Sequence, residues 1–232
     1  MILIWGIIGL IFGSAANAII DRMPKNISWI SGRSKCDHCG HTLAWKDLIP
    51  LLSWLLLGGK CRYCKKPISL RNVWVEIIMA TGFMLIVGMH LPWTYIPIFW
   101  LSLVLGVMDW ETQLVSEILI LLWAFFVAVS GVSLVGVVAS TALIGGLWLL
   151  TRGRGMGFGD VEIAAVMGLW LGWPNILVAL LLAFIAGAIV GIMQILFGKS
   201  KMQSAIAFGP FLILGTWIAL FWGDMIIHRL YG

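Results

Sequence analysis

The chain has 232 residues, of which 61% are hydrophobic and 11% charged, and its mean hydropathy is +1.04. That is more apolar surface than a water-soluble domain of this size can bury, so the solvent it fits is lipid, where one span needs roughly 20 apolar residues. The net charge of +5 does not point to nucleic acid, because the basic residues gather in loops instead of covering one soluble face.

The first apolar run covers residues 2–20. Ala16-Asn17-Ala18 looks like a small-residue cleavage site, but no basic residue precedes the run and the charges Asp21 and Arg22 follow it. A retained first helix is therefore expected. The next segment, 21–72, is polar and holds all four cysteines, as the pairs Cys36/Cys39 and Cys61/Cys64. Two C-x2-C pairs at this separation have the spacing of a tetrahedral zinc site, which implies a reducing, cytoplasmic setting. His38 and His41 stand close enough to be alternative ligands, although four thiolates already fill a tetrahedron. Between the pairs lies an apolar patch, 48–57, too short to span; it could form the core of a small zinc domain or lie in the membrane interface.

From Val73 onward, spans are expected near 73–89, 92–108, 116–133, 135–150, 161–172, 175–197 and 206–228. With the first helix the architecture is all-α and polytopic, with about eight transmembrane helices. A break inside 116–150 is expected at Ser130-Gly131 and Gly136. The domains so defined are the first helix 1–20, a zinc-binding loop domain 21–72 and a transmembrane domain 73–232.

Basic residues orient this topology. With the N-terminus outside, Arg22, Lys25, Arg33, Lys35, Lys46, Lys60, Arg62, Lys65, Lys66 and Arg71 all fall in one cytoplasmic loop. Arg152, Arg154, Lys199 and Lys201 fall in others, and only Arg229 of the 15 lies outside.

Carboxylates at membrane depth are costly and mark function. Asp109 and Asp160 are separated by two spans, so both stand at the cytoplasmic ends of helices. Two adjacent carboxylates share a proton; the ionised one draws a proton from water while the protonated one polarises a peptide carbonyl. That pair would hydrolyse a peptide without a metal. Glycines alternate through Gly153-Arg154-Gly155-Met156-Gly157-Phe158-Gly159-Asp160, and such a segment lets an extended substrate strand approach. The alternative is a plain loop whose Asp160 caps a helix. Glu111 and Glu117 read as interfacial carboxylates, Glu76 as the partner of Arg71 or Arg22, and Asp224 as structural.

Gly157-Phe158-Gly159-Asp160 resembles the GxGD motif of intramembrane aspartyl proteases, and the rest of the chain is similar to the prepilin peptidases among them. The similarity is carried by Gly9–Asn17 with Asp21-Arg22-Met23-Pro24, by the two cysteine pairs flanking Ile49-Pro50-Leu51-Leu52-Ser53-Trp54, by Asp109-Trp110-Glu111-Thr112-Gln113-Leu114, and by Phe208-Gly209-Pro210-Phe211. The resemblance implies Asp109 and Asp160 as catalytic residues, Gly157, Phe158 and Gly159 as the substrate-side motif, and a structural zinc on Cys36, Cys39, Cys61 and Cys64. It further implies a multi-pass protein of the bacterial inner membrane acting on type IV prepilin or pseudopilin precursors, and S-adenosylmethionine as donor for methylating the new N-terminus. Glu162 stands where the family usually has lysine, Ser116-Glu117 where it often has Pro-Asp, and Leu48 where it often has asparagine.

Two readings of other classes compete. A small transporter or channel requires polar residues at mid-depth in several spans, and the spans here are nearly uniformly apolar. A membrane anchor presenting a zinc module leaves the paired aspartates and the glycine segment without a role.

Overall fold

The computed structural model describes residues 1–29, 31–197 and 207–231. Among them are nine α-helices and no strand: α1 Ile2–Arg22, α2 Leu52–Leu56, α3 Leu70–Gly88, α4 Tyr95–Thr112, α5 Glu117–Ser130, α6 Leu134–Thr151, α7 Phe158–Leu171, α8 Asn175–Leu196 and α9 Gly209–Tyr231. All but α2 fall where a span is expected. Among the described residues, five runs are long and apolar enough to cross a membrane, those based on α1, α3, α6, α8 and α9. The other three long helices fall outside that set: α5 and α7 have only 14 residues each, and α4 ends in Asp109, Glu111 and Thr112, which lower its mean hydropathy. Lys199 and Lys201, and the expected start of the last span at 206, lie outside the described residues.

Helix ends follow local chemistry. Ser69 caps α3 by accepting from the Arg71 amide, and Ser133 caps α6 by accepting from the Gly136 amide, each satisfying a donor the helix leaves open. The expected break in 116–150 occurs at Gly131, whose φ of +148° ends α5. Gly136 does not contribute to it. It sits inside α6 with its Cα against Gly168 of α7, so its lack of a side chain serves helix packing.

The chain divides into two compact units, Met1–Val104 and Leu105–Gly232. In the first, α1 lies on α3 through one face made of Gly6, Gly9, Gly13, Ala16, Asn17 and Ile20, all buried. A Cβ at Gly9 would stand 2.6 Å from Ala80 Cα, and one at Gly13 2.7 Å from Glu76 Cα. Small residues at such spacing let backbones approach where no hydrophobic effect separates helix from lipid. In the second unit, α6 packs on α7 and α8 on α9 by the same device, at the Gly136–Gly168 contact and at Gly215 over Ala179.

Among the described residues Glu76 forms no ion pair. It is buried, and its Oε2 accepts from the Leu51 amide at 2.8 Å. Arg71 instead pairs with Asp21, and its Nη1 donates to Asn17 Oδ1 at 3.1 Å. The chain reaches Glu76 at Leu51, whose main-chain donor the carboxylate takes; an arginine this close to the helix start remains with the polar residues at the ends of α1 and α3.

Candidate active site and cysteine cluster

Asp109 and Asp160 both belong to the second unit and are both buried, with 5% and 6% of their surface exposed. Each carboxylate is held by a glycine amide. Asp109 Oδ2 accepts from the Gly209 N–H at 2.9 Å, at the first residue of α9, where a helix leaves donors unsatisfied and favours negative charge. Asp160 Oδ2 accepts from the Gly157 N–H at 3.1 Å and so closes the first turn of α7. The two carboxylates lie within electrostatic reach of each other. Asp160 thus caps its helix and also feels the charge of a second carboxylate, so the capping role accounts for only part of its surroundings.

Each member of the glycine motif has its own contact. Gly157 supplies the amide, and the Phe158 ring meets Trp148 of α6 edge to face at 5.5 Å. Gly159 faces Val115; a Cβ there would stand 2.7 Å from Val115 Cγ2. Gly159 thereby allows the start of α7 to lie against the segment that follows α4. Upstream, α6 ends in two left-handed residues, Arg152 and Gly153, with φ of +52° and +70°. Glu162 and Glu117 interact electrostatically, which brings together two of the positions where the sequence departs from the resembled pattern. Glu111 is exposed. Asp224 accepts from Asn175 Nδ2 at 3.0 Å, a bond between α8 and α9.

In the first unit the four cysteines are free thiols, and their sulfurs lie within 4.8 Å of one another. Zn–S bonds of ~2.3 Å place the sulfurs of a tetrahedron about 3.8 Å apart, and Cys36 Sγ stands 3.9 Å from Cys64 Sγ. The two pairs sit in matching loops. Cys36 N donates to His41 O at 3.0 Å and Gly40 N to Cys36 O at 2.9 Å; Cys61 N donates to Lys66 O at 2.8 Å and Lys65 N to Cys61 O at 3.0 Å. Gly40 and Lys65 take the same left-handed conformation, with φ of +68° and +60°. Bridges Lys35↔Thr42 and Lys60↔Pro67 close the two loops. Backbone amides of Cys64 and Tyr63 donating to Cys61 draw its thiol down to about 7, whereas Cys39 is pushed up to about 11 by burial and its sulfur neighbours; it is the gathering of four sulfurs that suits a soft cation that takes thiolates. His41 packs on the Tyr63 ring at 3.7 Å, and neither it nor His38 belongs to the cluster among the described residues.

Sequence reasoning missed Asp47. Its carboxylate accepts from Arg62 Nε at 2.7 Å, Tyr63 Oη at 3.2 Å and the Ala44 amide at 3.2 Å, so it ties the segment between the pairs to the second cysteine loop. Arg62 holds its carboxyl below the usual range. A cavity of about 940 Å³ opens beside these loops, lined by Asn17, Asp21, Trp54, Asn72 and Glu76 among others. Among the described residues, Trp54 Nε1 and Asn72 Oδ1 are buried there without a hydrogen-bond partner.

Residues 7–90 match the bacterial peptidase A24 N-terminal domain, and residues 96–192 match the type IV leader peptidase family. The prepilin leader peptidase/N-methyltransferase of Aeromonas hydrophila is 36% identical over 225 residues, covering 89% of this chain and 77% of that protein. Those of Pseudomonas aeruginosa and Legionella pneumophila are each 32% identical, covering 95% and 100% of this chain and 90% and 95% of theirs. No solved structure matches the chain. The two family segments take in the cysteine loops, Asp109 and Asp160, and with relatives this similar over nearly the whole length the chain belongs to the type IV leader peptidase family.

Proposed function

We propose that this protein removes the leader peptide from type IV pilin-like precursors, pilins or pseudopilins, with Asp109 and Asp160 as its general acid and base. The observation that carries the reading is the pair itself: two buried carboxylates from different helices, each fixed by a glycine amide and each within the other's field. In such a pair one carboxylate takes a proton from water as it attacks the scissile carbonyl, while the other gives a proton to that carbonyl oxygen. The roles then reverse as the amine leaves. Gly157, Phe158 and Gly159 line the approach of the substrate strand to Asp160.

The reading includes eight spans with the N-terminus outside, so that α4, α5 and α7 cross as part of the helix assembly and the active site faces the cytoplasm of the inner membrane. The positions of the basic residues support that orientation. It also includes one structural zinc on Cys36, Cys39, Cys61 and Cys64, within the loop domain 21–72 that separates the first helix, 1–20, from the protease domain, 73–232.

N-methylation of the newly exposed amine is the second activity, supported by the names of the relatives. When bound, S-adenosylmethionine supplies an electrophilic methyl group. The cavity fits such a ligand in size. Within it, among the described residues, Trp54 Nε1 offers a free donor and Asn72 Oδ1 a free acceptor.

The test is incubation of the purified protein with a prepilin and S-adenosylmethionine, followed by mass analysis of the product's N-terminus. Wild-type protein should give a cleaved, methylated product. Asp109→Asn and Asp160→Asn should each lower cleavage by roughly 10²–10⁴-fold while still inserting; normal processing by either variant would refute the pair.

A further inference from the structure

We infer that the short hairpin around α2 lies in the membrane interface, with its leucine face in lipid and its lysines against anionic headgroups. The observations are local to the first unit. None of the residues of α2 is buried, and Leu55 and Leu56 are 65% and 77% exposed, beside exposed Trp45, Leu48 and Leu52. An apolar patch of this kind in water needs a cover, and the core of the zinc module is not it.

The depth of the hairpin identifies that cover. Glu76 Oε2 accepts from the Leu51 amide, and Leu51 is the residue that caps α2. Glu76 stands six residues after the first residue of α3, about 9 Å along the helix axis at 1.5 Å per residue. The apolar run of α3 has only 19 residues, a length of about 28 Å, so crossing a hydrocarbon layer of ~30 Å uses nearly all of it. The start of α2 is therefore pinned below the level of Arg71 and Asp21, the ion pair at the ends of α3 and α1. Leu51 holds a φ of +56° to make this reach, a conformation that a branched side chain adopts only where its surroundings impose it. The buried carboxylate and the strained leucine together fix the hairpin at that depth.

The flanks match the polar layer above. Lys46 lies over the Trp45 ring at 5.5 Å, and tryptophan favours the interface. Lys60, also exposed, follows the hairpin, with its amide donating to Leu57 O at 3.3 Å. An apolar face bordered by cations fits a bilayer containing anionic lipid.

The experiment places the photo-crosslinker p-benzoyl-phenylalanine at Leu55, or at His38 as control, in the full chain in nanodiscs of mixed phosphatidylcholine and phosphatidylglycerol. Phospholipid adducts on the Leu55 peptide should exceed those at His38 by about tenfold. Lys46→Glu with Lys60→Glu should lower the phosphatidylglycerol share severalfold. Wild-type protein gives an independent reading: amides 52–56 should exchange hydrogen far more slowly in the bilayer than amides 37–40. Lipid adducts at Leu55 no more frequent than at His38, crosslinking to an added pilin precursor in their place, or equally fast exchange in both segments would each overturn the inference.

Discussion

The Asp109 carboxylate rests on the first amide of α9, with Oδ2 2.9 Å from Gly209 N. The contact requires glycine, since a Cβ at 209 would stand 2.7 Å from Oδ2 and 3.2 Å from Ile163 Cδ1. Ile163 lies one turn beyond Asp160 on α7, so the same glycine borders both carboxylate-bearing helices. Gly209→Ala is expected to leave the helices intact but displace the Asp109 carboxylate. Displacements of about 1 Å at a catalytic group cost on the order of 10²-fold in rate. Prepilin cleavage measured alongside thermal unfolding checks this: cleavage should fall by about that factor with little change in melting. Unchanged cleavage would mean that the bond does not position Asp109.

Gly159 makes the corresponding prediction for Asp160. Its Cα faces Val115, so Gly159→Leu must push α7 away from the segment after α4 and move Asp160 with it. Overpacking of this kind costs roughly 1–3 kcal/mol, and the loss of cleavage should exceed what that destabilisation explains. Val115→Ala opens the space that the added side chain needs, and the double variant should recover part of the activity. Recovery in the double variant separates crowding from any direct role of the glycine in holding substrate.

How far the site was legible in the sequence depended on the kind of signal. Asp109 and Asp160 stood out as a candidate pair because carboxylates are rare in an apolar chain and because the expected span parity puts both on one side; the structure buries both in the second unit. The cysteine cluster was visible from spacing alone. Glu76 was misassigned: its partner is a main-chain amide at Leu51, and main-chain partners leave no mark in the choice of residue. Asp47 was missed because its partners Arg62 and Tyr63 lie 15 and 16 residues away and an aspartate in a polar loop looks ordinary. Gly136 was read as a break because glycine punctuates soluble helices, whereas in lipid it also marks close helix packing.

The cysteine loops give a metal prediction. Purified protein should contain about one zinc per chain, and Cys36→Ser or Cys64→Ser should lose it, as shown by metal analysis after dialysis. Asp47→Ala should weaken metal retention against a chelator by about tenfold, the effect of removing a group that orients the residues around a site. The pH dependence has a definite sign. Arg62 holds the Asp47 carboxyl below its ordinary value, so its contribution to the loop's stability is present above the unfolded pKa of about 3.9 and is lost as pH falls through the lower folded value. Because Arg62 is half exposed, solvent screens the pair and the contribution is small. The difference in loop stability between wild type and Asp47→Ala should therefore shrink below about pH 4.

The α1–α3 contact carries the last prediction. A Cβ at Gly13 would stand 2.7 Å from Glu76 Cα and 3.3 Å from Met79 Cβ, and neither can yield without moving α3. Gly13→Leu should therefore separate the two helices and loosen the Glu76–Leu51 bond one step further on. Gly88→Leu provides the control, because a Cβ there would meet only Ile2 Cδ1, at 3.8 Å. The Gly13 variant should lose roughly 1–3 kcal/mol of stability and show faster hydrogen exchange at residues 51–56, while Gly88→Leu should change little. If exchange at 51–56 stays at the wild-type rate when α1 and α3 have been forced apart, Glu76 does not tie the hairpin to the helix pair.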